Sequence, residues 1–394
     1  MLLLSVNILG LANVAAGEDH LPLVTPAEAG IDAQKLREIE PLIATGLEEK
    51  KMPGCVLCLG RQGKIFWLKA YGNRRVEPEA EPMTTDTLFD LASLTKPIAT
   101  ATSVMLLVER GKLKPDEPVA TYLPAFAAEG KGKVTVRQLL IHTSGLIPDN
   151  PLRDYEAGVD EAWQRICALK LQTPSGQRFA YSDVNFIVLG KLVESISRQP
   201  LQAFTRSNIF QPLGMGETGY LPTASLRQRA APTEKRDGAW MQGEVHDPRA
   251  WKLGGVAGHA GLFSTASDLA LYADALLHDL GSNAEPKLFK PATLQQMSAP
   301  QPVPLWRKGA EPAEGRRGLG WDMRTGYSIN RGENWSPAAF GHGGFTGTVL
   351  WIDPQQDLFL IFLSNRVHPN GKGSVNTLAG AIGTRVISAL TVAR

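Results

Sequence analysis

The chain has 394 residues, 43% of them apolar and 20% charged, with a formal net charge of only +2. That length supplies apolar material for one large or two ordinary domains, and the composition is that of a soluble globular protein. No Lys/Arg-rich run marks a nucleic-acid surface, and past the leader no stretch is long and apolar enough to span a bilayer.

The leader, residues 2–16, is apolar and ends in Val14-Ala15-Ala16 before Gly17. Residues 1–17 therefore read as a secretory signal peptide without the usual positive start, implying export to the periplasm or the exterior. The plain alternatives are a mis-assigned start and a disordered leader. From Thr25-Pro26-Ala27-Glu28 an amphipathic pattern predicts a helix to about residue 49. Residues 54–60 and 64–71 read as strands joined by Arg61-Gln62-Gly63, which has hairpin chemistry. Cys55 and Cys58 form a CxxC, but residues three apart on a strand face opposite ways. Buried structural thiols are favoured over a redox or metal pair. Residues 72–87 read as a polar loop.

A helix is expected over 95–110, closed by Gly111 in a left-handed cap. Thr135-Val136-Arg137-Gln138 is a capping box opening a helix that stops near His142-Thr143-Ser144-Gly145. Further helices are predicted over 160–170, 184–198 and 201–210. Residues 220–258 read as irregular loop, with Trp240 and Trp251 packing it down rather than lining a pocket. Thr265-Ala266-Ser267-Asp268 is a second capping box, opening a helix to His278. Strands follow over 319–324, 339–340, 346–353 and 358–365, then a closing helix over 373–392.

Strands at both chain ends with helices between them predict an α+β fold. One antiparallel sheet pairs the two ends and is flanked by helices. The expected organisation is an α/β domain from residues 25–90 and 265–394, with a mainly helical domain, 91–264, inserted. The site should lie in the cleft between the lobes.

Three segments carry candidate chemistry. Ser93-Leu94-Thr95-Lys96 puts a serine and a lysine one turn apart at a helix start, where backbone N–H groups and the dipole favour developing negative charge. A lysine whose pKa is lowered by burial can take the serine's proton. The plain alternative is an N-cap serine and a solvated lysine, and the motif alone is weak. In Tyr181-Ser182-Asp183, a tyrosine beside an ammonium can have a depressed pKa and shuttle a proton. A core tyrosine before a helix capped by Asp183 is the competing reading. In Gly341-His342-Gly343-Gly344-Phe345-Thr346-Gly347, strand glycines would admit a substrate backbone. His342 would face the same cleft, and the Phe345 and Ser93 N–H groups would pair as an oxyanion hole. A glycine-rich bulge with a bystander histidine weighs about equally.

Taken together and in this order, the three segments resemble the class C β-lactamase and D-alanyl-D-alanine carboxypeptidase family, with its SxxK, YxN-type and KTG- or HxG-type motifs. The resemblance spans most of residues 28–390 and extends to VTVRQLLIHTSGL (134–146) and GHAGLFSTASDLA (258–270). It implies Ser93 as the acylated nucleophile, Lys96 and Tyr181 as the proton network, and His342 where the third motif contacts substrate. Asp183, Gly343, Gly344 and Phe345 would line the substrate. Asp183 replaces the usual asparagine and His342 the lysine of true class C lactamases. Both changes weaken attraction for an anionic β-lactam.

The expected function is acyl transfer on a cell-wall peptide or amide. The rivals are a carboxylesterase on the same fold, which needs no GxSxG elbow (the absence of one argues only against an α/β-hydrolase esterase), and a non-catalytic binding or scaffold protein that kept the fold. His142, His246, His259, His278, His342 and His368 show no metal-ligand spacing, although His246-Asp247 and His259 could meet in space. No metal, no organic cofactor and no nucleic-acid partner are expected. The sequence leaves the oligomeric state and the physiological substrate open.

Overall fold

The computed structural model describes residues 20–306, 311 and 313–391. The expected signal peptide therefore lies outside the described residues. In chain order the strands are β1 (Gly54–Arg61), β2 (Lys64–Arg75), β3 (Glu81–Pro82), β4 (Phe89–Asp90), β5 (Gly219–Tyr220), β6 (Lys235–Arg236) and β7 (Ala239–Trp240). Then come β8 (Leu262–Ser264), β9 (Gln301–Leu305), β10 (Ala313–Arg317), β11 (Asp322–Arg324), β12 (Phe340–Gly344), β13 (Thr348–Asp353) and β14 (Leu358–Ser364). Nine form one sheet in the order β3-β2-β1-β14-β13-β12-β11-β10-β9. Every pairing in it is antiparallel, and β1 against β14 joins the two chain ends as the sequence predicted.

The central strands are apolar without a break because helices cover both faces. On β14, Phe359, Ile361 and Leu363 enter one core and Leu358, Leu360 and Phe362 the other. The cysteines obey the same alternation. Cys58 joins the first core and Cys55 the second, both as free thiols whose pKa burial pushes up. The helix Asn376–Ser388 packs on Ile39–Glu48 over one face, and Ala266–Gly281 packs against β1 and β14 over the other.

Several local expectations change. The first helix is broken into Ala27–Ala29, Ala33–Leu36 and Ile39–Glu48, because Gly30 takes φ +69° and Asp32 caps a new start. The hairpin keeps a two-residue turn, with Gln62 and Gly63 both at positive φ. The expected 72–87 loop yields the end of β2 and all of β3. The predicted 201–210 helix is α-helical only over Leu201–Thr205 and then π-wound. The Thr135–Gln138 capping box is complete. The Thr265 box is not: Thr265 caps Asp268 N–H, but the Asp268 carboxylate turns away to accept from Glu217 N–H and Thr218. Residues 220–258 hold two short helices and the β6–β7 hairpin rather than pure loop. β9 and β10 were not expected. Their exposed, Pro- and Arg-containing sequences lack a periodic apolar face.

Candidate active site

Ser93 follows β4 in a single turn, Ala92–Leu94, and opens the helical stretch Lys96–Ala101, which is π-wound, into Thr102–Glu109. The turn is strained: Ala92 has φ +45°, a conformation that side-chain-bearing residues seldom adopt. It is held from two sides. The buried Asp90 carboxylate accepts from Ala92 N–H at 2.8 Å and from His246 N–H at 2.7 Å. Across the sheet, Thr346 Oγ1 donates to Asp90 O at 2.7 Å and Thr348 Oγ1 to Leu91 O at 2.9 Å. Gly344 lets the backbones meet there, since a Cβ on it would lie 2.4 Å from Leu91 O and 2.2 Å from Thr348 Oγ1.

Lys96 is fully buried; its ammonium donates to Ser93 Oγ at 3.0 Å and His259 O at 3.0 Å and forms an ion pair with Asp183 Oδ1 at 2.6 Å. Burial pulls its pKa down, but the charges and hydrogen bonds of Asp183 and Tyr181 outweigh that and hold it above the usual lysine range. The expected pKa-lowered lysine is corrected: in the resting protein Lys96 is an ammonium. The tyrosine expectation is corrected too. Burial and Asp183 raise the Tyr181 phenol, while Lys96 and Ser93 offset only part of the rise.

Tyr181 leads into the helix Asp183–Ser197, whose N-cap is Ser182, so Asp183 is its first residue and not the cap. Its position is set by His142, which sequence reasoning missed. His142 O accepts from Ala180 N–H at 2.9 Å and His142 Nδ1 from Ser182 N–H at 3.0 Å, bracketing Tyr181. The rings lie 4.5 Å apart. His142 has φ +59° and is fully buried, and its pKa is driven well below the usual value, by burial first and then by Arg317 and Lys96. The sequence held it only inside the HTSGL stretch, without any signal of contact with residue 181.

β12 brings His342, Gly343 and Gly344 to the same cleft, with Phe345 just beyond. A cavity of about 340 Å³ is lined by Ser93, Tyr181, His342, Gly343, Gly344 and Phe345, together with Tyr327 and Arg366. His342 Nδ1 lies 2.8 Å from Gly343 O, so it carries the proton and leaves Nε2 as an acceptor. Burial, then Arg317 and Lys96, push its pKa well below the usual value, so it is neutral. The Phe345 N–H is not taken by a backbone carbonyl among the described residues. All eight candidate residues thus meet: seven line this cavity or its Lys96 floor, and Asp183 reaches it through Lys96. Trp240 packs on His368 at 4.6 Å and Trp251 is half-exposed beneath Arg236, away from the cavity.

His246, Asp247 and His259 do approach. His259 Nε2 lies 2.9 Å from Asp247 Oδ1, and His246 turns instead to Glu234. Asp183, Asp247 and His259 place ligand-type atoms within 4.8 Å of one another. The Lys96 ammonium already sits in contact with Asp183, so the group fits an internal counter-ion set better than a metal cage.

A β-lactamase family model matches residues 39–384. The chain belongs to the β-lactamase family. It is 31% identical to a protein of Escherichia coli K12 provisionally named a D-alanyl-D-alanine carboxypeptidase, over 93% of this chain and 91% of that one. It is 32% identical to an N-acetylmuramyl-L-alanine amidase of Bacillus subtilis, over 90% of this chain and 86% of the relative. A class C β-lactamase of Rhodobacter sphaeroides superposes with a TM-score of 0.70 at 21% identity, covering 89% and 99% of the two chains. This β-lactamase-family chain thus has the serine hydrolase fold. No described helix is long and apolar enough to cross a membrane.

Proposed function

We propose that this family member is an acyl-enzyme hydrolase of amides from cell-wall peptides, with Ser93 as nucleophile. The observation that carries the reading is the 3.0 Å contact between Lys96 Nζ and Ser93 Oγ at the floor of a cavity also lined by Tyr181. The provisional carboxypeptidase and the muramyl amidase among its relatives support the substrate class. Export from the cytoplasm would suit a substrate of that kind.

The geometry suggests how protons move. Lys96 begins as an ammonium, so it must first lose a proton to bulk water before it can accept from Ser93, and Asp183 at 2.6 Å holds Nζ in place for that step. Ser93 Oγ then attacks the acyl carbon as its proton passes to Lys96, and the oxyanion is met by the Phe345 and Ser93 N–H groups. Tyr181 gives its proton to the departing nitrogen and is reprotonated from Lys96. Water reverses the sequence and frees the acid. His342, neutral with Nε2 open, accepts a hydrogen bond from substrate and supplies no charge for a carboxylate.

That last feature favours a second reading, a carboxylesterase acting on uncharged acyl groups. The experiment is intact mass of the protein with benzylpenicillin over time, tracking the drug, with Ser93→Ala as control. A lasting adduct that needs Ser93 supports the first reading and leads on to D-Ala-D-Ala peptides. Rapid drug hydrolysis means a lactamase and overturns the reading of Asp183 and His342. Silence toward drug and peptide, with turnover of a p-nitrophenyl ester, selects the esterase.

A further inference from the structure

The cavity at Ser93 does not end at Tyr181. A second compartment of about 480 Å³ opens on the far side and shares Tyr181 and Tyr327 with the first. Its walls include Trp306, Arg178, Asp149 and Asp183. Trp306 is 57% exposed and Tyr327 54%, an unusual display of aromatic surface beside a polar cleft. Both rings are nonetheless held in place. The Arg178 guanidinium lies 5.0 Å over the indole, and Tyr327 packs 5.0 Å from Tyr181 and 6.2 Å from Phe179.

We infer that this compartment is a subsite for a pyranose ring attached to the substrate. An aromatic face offers an apolar platform to the C–H face of a sugar, and planar carboxylate and guanidinium groups accept from and donate to its hydroxyls. The charge balance decides against the other obvious guest, an ammonium group. Asp183 is already neutralised by Lys96 at 2.6 Å and Asp149 by Arg249 at 3.5 Å, while Arg178 adds a positive charge. What remains is a polar, aromatic-walled space with one positive charge at Arg178, which repels a cation and can donate to the hydroxyls of an uncharged polyhydroxylated group. The choice of an N-acetylated amino sugar as the probe rests on the cell-wall reading above. The compartment's own chemistry does not.

The test uses the full chain carrying Ser93→Ala, so that nothing turns over. Calorimetry compares N-acetylmuramoyl-L-alanyl-D-isoglutamine with L-alanyl-D-isoglutamine. In parallel, saturation-transfer NMR follows methyl N-acetylglucosaminide alone. The sugar-bearing peptide should bind about tenfold tighter, and Trp306→Ala should remove that gain and the glycoside signal without weakening the bare dipeptide. Trp306→Phe, which keeps a platform, should retain most of the gain. Equal affinities with no glycoside signal, or a gain that survives Trp306→Ala, overturn the assignment. So does a tighter fit of a lysine-containing peptide that Asp149→Asn abolishes, which would make this an ammonium site. Failure of Ser93 to acylate with any amide would sink the cell-wall reading alone, because the glycoside signal does not depend on turnover.

Discussion

Lys96 and Asp183 form a 2.6 Å ion pair in which the lysine is wholly buried and the carboxylate mostly so. The Asp183 charge is directed at the buried Lys96, and Asp183 also borders the compartment beyond Tyr181. Asp183→Asn should leave an unpaired buried ammonium and cost about 3 kcal/mol at neutral pH. Because the folded pKa of Lys96 is raised, the stabilisation is fully present below the unfolded lysine value and is lost as pH rises through the folded one. The deficit of Asp183→Asn should therefore be constant from pH 7 to 9 in urea titrations and shrink only above about pH 10. Acylation should also slow by about 10-fold, because the carboxylate that holds Lys96 Nζ against Ser93 Oγ is gone.

The Ser93 turn depends on two hydroxyls, one from the β12–β13 turn and one from the start of β13. Thr346→Val removes the hydroxyl donor from the Asp90 carbonyl and should cost about 1–2 kcal/mol, whereas Thr348→Val leaves Leu91 O still bonded to Leu94 N–H and should cost about 0.5–1 kcal/mol. The larger effect should be on the reaction: kcat falling about tenfold with KM little changed, since the strained Ala92 turn would relax away from its working geometry. Steady-state kinetics on an ester substrate would show it. An equal loss in KM would mean the threonines merely shape the binding surface.

Two of the three glycines of β12, Gly343 and Gly344, should differ. A Cβ at Gly344 meets backbone at Leu91 O, whereas at Gly343 the near atom is the end of the Asn330 side chain at 2.4 Å. Gly344→Ala is expected to destabilise by about 2 kcal/mol or more and to abolish acylation. Gly343→Ala displaces the Asn330 amide, whose Oδ1 accepts from Trp351 Nε1 at 3.0 Å, and should cost about 1 kcal/mol while keeping most activity. Thermal melts and adduct formation distinguish the two.

Acid sensitivity should arise partly from His142 and His342, both buried and neutral. Their folded pKa values are depressed, so the unfolded chain takes up protons first. The stability they contribute is present above about pH 6.5 and declines below it, by about 1.4 kcal/mol per pH unit for each group. Asp268 works the other way, its carboxyl pushed up to about 6 by burial, which adds some stability as pH falls through that value. His342→Gln should flatten the stability loss between pH 6.5 and 5, measured by denaturant unfolding. An unchanged slope would show that His342 titrates normally.

Motif residues and the central strands were legible from the chain because they depend on local rules, and apolar strands at both chain ends implied that the ends pair. Alternation separated Cys55 from Cys58, glycine and cap chemistry placed the hairpin and the Thr135 helix, and apolar runs identified the central strands. The order of Ser93, Lys96, Tyr181 and His342 carried the family resemblance, and the fold brings all four to one cleft. What only the tertiary structure decided is electrostatic and long-range. The protonation of Lys96 depends on a carboxylate 87 positions later, the tautomer of His342 on its own strand's geometry, and the posture of Tyr181 on His142. Distance through space sets those interactions and sequence separation does not encode it. A residue's chemical type is therefore written in the chain, while its charge state and its partner are written in the packing.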